Sequence, residues 1–166
     1  MRTIAPLPLV AERFKPYGDV IEHRGPPKGI NYGLTESFAD LAKLDLHRHQ
    51  GQPRISLYRS QPLQPVVIRR MECHKLGSQL FMPLGGQPYL VVVAPKGDFK
   101  TSAISVFLAE GHQGVNYHAG VWHHFCLPLH ADSDFLVVDR TGGANDDTHE
   151  IELSDAQQFK IVAEPG

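Results

Sequence analysis

The sequence predicts a mainly β chain whose short strands wrap into a sandwich or a closed, nearly closed barrel around a small cavity. Three observations carry that expectation. From Arg54 onward, apolar and β-branched residues recur in short alternating or continuous runs. Thirteen prolines and fifteen glycines are scattered along the chain and cut it into short pieces. The length of 166 residues fits one domain spanning 1–166, and no internal repeat or low-complexity tract divides it. With 42% apolar and 20% charged residues, the chain has enough apolar surface to bury a core.

Residues 8–15 predict a short helix that stops at Pro16. Tyr17-Gly18-Asp19 turns into a strand over 20–22, residues 25–29 form a loop, and a strand covers 30–34. Residues 37–46 suit either a strand, since Leu44 and Leu46 alternate, or a helical turn. His47-Arg48-His49 reads as an exposed loop before Gly51 and Pro53. Ile55, Leu57 and Arg59 then share one strand face. Further strands cover 66–74 and 79–82, the latter closed by Gly85-Gly86, and the valine-rich run 89–94 is a buried strand. Pro95-Lys96-Gly97-Asp98 turns back into a strand over 103–108, and another strand covers 135–139. Residues 142–147 form a solvent-exposed acidic loop without EF-hand spacing. Ser154 and Gln157 have capping-box spacing and predict a short terminal helix.

A formal net charge of -2 gives no electrostatic case for nucleic acid or a membrane surface. The apolar run 90–95 is too short to span a bilayer, and the first residues lack the apolar region of a signal peptide. Cys73 and Cys126 make neither a CxxC motif nor a disulfide framework, so a reducing cytoplasm is the simplest home.

Two stretches carry chemistry. Residues 114–125 hold three of the ten histidines and the only tryptophan. Asn116 and His118 are two apart and point to the same side of a strand, and Gly120 permits a turn. His123 and His124 then face opposite ways, so one of them shares a cavity with Asn116 and His118. In the second stretch Glu72 and His74 share a face, and Gln79 and Phe81 share a face of the next strand. Cys73 points away from both neighbours, which argues against a cysteine–histidine nucleophile. Tyr117 and Trp122 read as core or cavity-wall aromatics. No nucleophile elbow, phosphate loop or dinucleotide fingerprint is present, so no organic cofactor is expected.

The spacing Glu72-x-His74, four residues, Gln79, six residues, Gly86 resembles the first motif of cupin barrels, and Gly120-Val121-Trp122-His123 resembles the second. The resemblance implies a cupin-like β-barrel with a few short peripheral helices, and ligand-like positions at Glu72, His74, Gln79 and His123. Glutamate replaces one histidine of that motif and an amide replaces its carboxylate. Such a set either holds a divalent metal (nickel, manganese or zinc) or works without one as an acid–base site.

A wider resemblance covers nearly the whole chain. Pro16 to Ile21, Asn31-Tyr32-Gly33, Glu72-x-His74-x-Leu76-Gly77-Ser78-Gln79-x-Phe81, Gln113-Gly114-Val115-Asn116-Tyr117-His118, Val121-Trp122-His123-His124 and the run from Asp134 to Arg140 are similar to the ureidoglycolate lyase family. Lys75 and the Ser37-Phe38-Ala39-Asp40 run depart from its usual pattern. The resemblance implies a homodimer and the cleavage of (S)-ureidoglycolate to glyoxylate and urea in allantoin and purine breakdown. For that reaction Glu72, His74 and His118 are the expected catalytic residues, and Arg59, Asn116 and Arg140 the expected contacts to substrate. The other readings are a non-catalytic barrel that binds a small acid and a different metal-dependent cupin.

Overall fold

The computed structural model describes residues 1–143 and 147–162. Its principal layers are two facing sheets. One is five-stranded, in the order Gly18–Ile21, Gly114–Tyr117, Gln79–Pro83, Ser133–Thr141 and Gln52–Ser60. The other is seven-stranded, in the order Thr148–Glu152, Arg70–His74, Trp122–His123, Tyr89–Ala94, Ser105–Ala109 and Leu7–Pro8, with Leu127–Pro128 also paired to Tyr89–Ala94. Arg2–Ile4, Phe159–Ile161 and Val67–Ile68 make a third, small sheet. A lone hairpin joins Lys28–Ile30 to Thr35–Ser37. The mainly β expectation with few short helices holds. The sheets stay separate in their hydrogen bonding, so the architecture is a cupin-like sandwich, and the gap between its sheets does the work of a barrel interior.

Side-chain alternation explains the layering. Along Tyr89–Ala94 every residue is buried, because the two faces serve two different cores. Tyr89, Val91 and Val93 point at the five-stranded sheet and meet Phe81, Val115, Tyr117, Phe135 and Val137. Leu90, Val92 and Ala94 point the other way, where Met71, Cys73 and Trp122 pack with Ile68, Phe159 and Ile161 of the small sheet. The helix predicted over 8–15 is Ala11–Phe14, and its buried Phe14 packs edge-on against Phe107.

Three local expectations change. Residues 30–34 are not a strand: Asn31–Gly33 is the tight turn of the hairpin, with Asn31, Tyr32 and Gly33 all at positive φ. Residues 38–47 form no regular element and lie as a strap across the sheet, pinned by Lys43 N–H on Asp19 and Asp45 N–H on Ser78. The Ser154–Gln157 capping bonds form, yet the chain makes a single turn there. Phe159 and Ile161 are needed as alternating core residues of the next strand, and this ends the helical path. Half of the acidic loop, residues 144–146, lies outside the described residues. Among the described residues no helix is long and apolar enough to cross a membrane.

Candidate functional site

The site lies at one end of the gap between the two sheets. Met71 and Cys73 fill the outer core, so Glu72 and His74 are turned to the inner side. Trp122 likewise packs outward and His123 inward, directly opposite Glu72 in register. From the facing sheet, Phe81 and Val137 set the inward alternation that brings Gln79 and Asp139 to the same place. Gly120, at φ +81, makes the turn before Val121–His123, and its N–H bonds the His74 carbonyl at 2.7 Å. The predicted quartet Glu72, His74, Gln79 and His123 is therefore gathered.

Potential ligand atoms of Glu72, His74 and His123 all lie within 4.8 Å of one another. His123 is buried and stacked on Tyr117, with ring centroids 4.3 Å apart and an interplanar angle of 10°. Its Nδ1 faces the Val121 carbonyl at 3.0 Å, and its Nε2 faces Gln79 Oε1 at 3.1 Å and Glu72 Oε1 at 3.6 Å. Gln79 is fixed in that orientation, because its amide nitrogen donates to the Asp139 carboxylate at 3.3 Å. The His123 ring is thus surrounded by oxygen acceptors.

His74 is held from the other side. Asp147 lies 3.7 Å and Thr148 Oγ1 3.4 Å from its Nδ1, so a ring proton on Nδ1 would face oxygen and leave Nε2 as a lone pair. That Nε2 is buried and has no hydrogen-bond partner among the described residues. Burial, and then the charge of His123, push the His74 imidazole below its usual value, against the pull of Glu72 and Asp147. Burial by itself would lift the Glu72 carboxyl, but the contact with His123 and the charges of His123, His74 and His124 outweigh it, so Glu72 is held ionised. His124, on the neighbouring position, is pushed down to about 4 by burial.

A cavity of about 480 Å³ opens beside this cluster. His74 is the triad member that lines it; Arg54, Ser78, Asp139, Arg140, Asp147 and Thr148 are among its other polar lining residues. Arg54 makes a two-pronged pair with Asp139, at 2.9 and 2.8 Å. Arg140 lies against Gly51 and Gly77, where any side chain would collide with it, and donates to the Arg48 and His49 carbonyls.

Three expected site residues are elsewhere. Val115 and Tyr117 point into the core, so Asn116 and His118 emerge on the opposite, outer face of their strand. There Asp19 Oδ2 accepts from Asn116 at 2.9 Å, from His118 Nε2 at 3.0 Å and from Lys43 N–H at 3.0 Å. Arg59 shares its face with Ile55 and Leu57 as predicted, but that face is the outer one. Its guanidinium is exposed and paired with Asp134 at 2.8 and 2.9 Å. Its place at the cavity is taken by Arg54, an odd number of residues away on the same strand. Sequence reasoning also passed over Asp139 and Asp147. Asp139 was legible from its alternation with Phe135 and Val137. Asp147 was assigned to solvent with its loop, whereas its carboxylate accepts from Leu76 N–H at 2.9 Å and is only 12% exposed.

The profile of the family described as ureidoglycolate lyase matches residues 1–160. A protein named ureidoglycolate lyase from Burkholderia mallei (strain NCTC 10229) is 49% identical over 144 residues, covering 86% of this chain and 85% of its own. One of the same name from Pseudomonas syringae pv. tomato (strain DC3000) is 46% identical over 169 residues, covering 99% and 97%. A third, from Pseudomonas fluorescens (strain Pf-5), is 48% identical over 153 residues, covering 90% and 92%.

Proposed function

This chain belongs to the ureidoglycolate lyase family, and on that premise we propose that it cleaves ureidoglycolate to glyoxylate and urea. The observation that carries the reading is His74, which lines a cavity that also presents Arg54 and whose buried Nε2 has no hydrogen-bond partner among the described residues.

Ureidoglycolate has a hydroxyl and a urea nitrogen on one carbon, beside a carboxylate. Loss of the hydroxyl proton lets the carbonyl of glyoxylate form as the carbon–nitrogen bond breaks, and the departing nitrogen takes up a proton. Both atoms are bonded to the same carbon, so one imidazole can serve both. His74 Nε2 accepts the hydroxyl proton and returns it to the urea nitrogen. Neutral His74 is the form that can begin this cycle, and its depressed basicity keeps that form populated at neutral pH. Asp147 and Thr148 fix its ring, while Glu72 offsets the positive charge that His74 gains in mid-reaction. Arg54 binds the substrate carboxylate, and Asp139 aims the guanidinium. Arg140 shapes that end of the cavity by tying down the turn at 48–49.

The donor set also fits a divalent ion, as an alternative to that proton cycle, because the His74 Nε2 lone pair serves either the proton or the ion. Glu72, His74 and His123 would hold it, the unpartnered His74 Nε2 being the atom that gains most, with Gln79 beside His123. Bound there, it would act as a Lewis acid on the substrate hydroxyl. Nickel, manganese and zinc all suit this mixture of nitrogen and oxygen donors.

We further assign the protein to the cytoplasm as a homodimer acting in allantoin and purine nitrogen breakdown. Two free cysteines support the reducing compartment. The test is stoichiometric. Purified protein incubated with ureidoglycolate should release urea and glyoxylate in equal amounts, and elemental analysis before and after chelation should report whether a metal accompanies the activity. Ammonia release, or binding without turnover, would replace the lyase reading.

A further inference from the structure

Four side chains from four strands make one continuous line from the cavity wall to the imidazole cluster. Arg54 and Asp139 face each other in register on neighbouring strands. Asp139 Oδ1 accepts from Arg54 Nε at 2.9 Å and its Oδ2 from Nη2 at 2.8 Å. The same Oδ2 accepts from Gln79 Nε2 at 3.3 Å. Gln79 Oε1 then meets His123 Nε2 at 3.1 Å, across the gap between the two sheets. The line starts half in solvent, with the Arg54 side chain 46% exposed, and ends on His123 at 1%.

Chemistry fixes the direction of each link. A carboxylate paired with a guanidinium only accepts, so the group that faces Asp139 Oδ2 must donate. An amide whose nitrogen is held there presents its oxygen on the other side, to His123. A carboxylate at position 79 would set two anions against each other, and an apolar side chain would break both contacts. An amide joins the acceptor to the imidazole in this order. Arg54 and Asp139 line the cavity, whereas Gln79 and His123 are not among its described lining residues. A carboxylate arriving at Arg54 therefore competes with Asp139 for the guanidinium without touching the amide. As Arg54 turns toward it, the shared oxygen is left to Gln79.

We propose that Asp139 and Gln79 are positioning residues that join the two ends: a carboxylate bound at Arg54 shifts the Gln79 amide and so sets the placement of the His123 ring. That ring lies 3.6 Å from Glu72 Oε1, and its centroid is 5.3 Å from that of His74, so its placement shapes the whole cluster. The relay aligns the cluster when an acid occupies the cavity. A bound carboxylate is then a condition of turnover as well as a source of affinity. The coupling is reciprocal, so the state of Gln79 also sets how tightly Arg54 holds the acid. The inference rests on the reading of Arg54 as the carboxylate anchor.

The test is calorimetry of glycolate binding to the full chain as purified. Glycolate carries the hydroxyl and carboxylate of the substrate but no ureido group, so it is not cleaved. Gln79→Met keeps the length of the side chain and removes both amide contacts. In the wild-type background it should change the glycolate dissociation constant by roughly 3–10-fold, and in an Asp139→Asn background by less than about 1.5-fold. Gln79→Leu and Asp139→Ser replace either substitution if its melting profile is lost. Equal changes in both backgrounds, or none in either, would overturn the relay. Absence of glycolate binding by the wild type would remove the anchor at Arg54 and the relay with it. Release of urea and glyoxylate from ureidoglycolate reports separately on the lyase reading, since the binding cycle does not depend on turnover.

Discussion

The sheet strand Gly114–Tyr117 and its extension separate two histidine–carboxylate clusters of similar composition and opposite fate. On the inner side, Glu72, His74 and His123 converge with few competing donors, and one buried nitrogen has no partner among the described residues. On the outer side, a single oxygen of Asp19 is filled by three donors, one of them the main chain of the strap. Residue type alone does not distinguish them. What does is whether the local backbone satisfies the polar atoms, because an imidazole already engaged in fastening a loop has no free atom for a substrate.

That contrast can be attacked from the strongest side first. Replacing His74 with alanine should lower turnover by ~10²–10⁴ with the melting profile retained; steady-state kinetics on the folded variant would measure it, and wild-type rates would dissolve the distinction. Changing Arg54 to glutamine removes a charged contact to the substrate carboxylate and should raise KM by roughly 10–100-fold with a smaller change in kcat. An unchanged KM would move carboxylate binding elsewhere.

On the outer side the expected effects are smaller and fall on stability. Asp19→Asn should destabilise the protein at neutral pH by ~1 kcal/mol or less, since Asp19 is partly exposed. Burial raises the Asp19 carboxyl, but the hydrogen bonds from Asn116, Lys43 and His118 outweigh it and hold it below 3.8. Its contribution is therefore full above that value and is lost as the pH falls through the depressed one. Denaturant curves for wild type and Asp19→Asn should differ at pH 6 and draw together as the pH falls below the usual carboxylate range. The smallest effect is expected at His118: alanine there should leave turnover within about three-fold of wild type. A loss as large as that at His74 would mean that the two clusters act together.

Much of this was readable before any coordinates. The quartet Glu72, His74, Gln79 and His123 follows from the resemblance of its spacing to the cupin motifs, and strand alternation adds the shared face of Glu72 and His74, because period-two patterning is enforced wherever one face packs into a core. His118 was assigned to the wrong side for a related reason. Its face was inferred from Asn116 alone, whereas Val115 and Tyr117 decide it by packing inward. Arg59 failed similarly: Ile55 and Leu57 suggest a core face, and nothing local reveals that this core-like surface is left uncovered. Asp147 was beyond local reasoning, since its bond to Leu76 joins segments 71 residues apart. The tip at Asn31–Gly33 was missed because two non-glycine residues adopt left-handed backbone there, which propensity disfavours.

The strand Tyr89–Ala94 has one further consequence. It is the shared wall of both hydrophobic layers, so neither layer can open while the other stays shut. Local fraying that exposes Val92 on one side also releases Val93, which pairs directly with His123. Amide hydrogens along this strand should consequently exchange only through global unfolding, slowest in the molecule, and trimming a methyl group far from the cavity should be felt at the imidazoles.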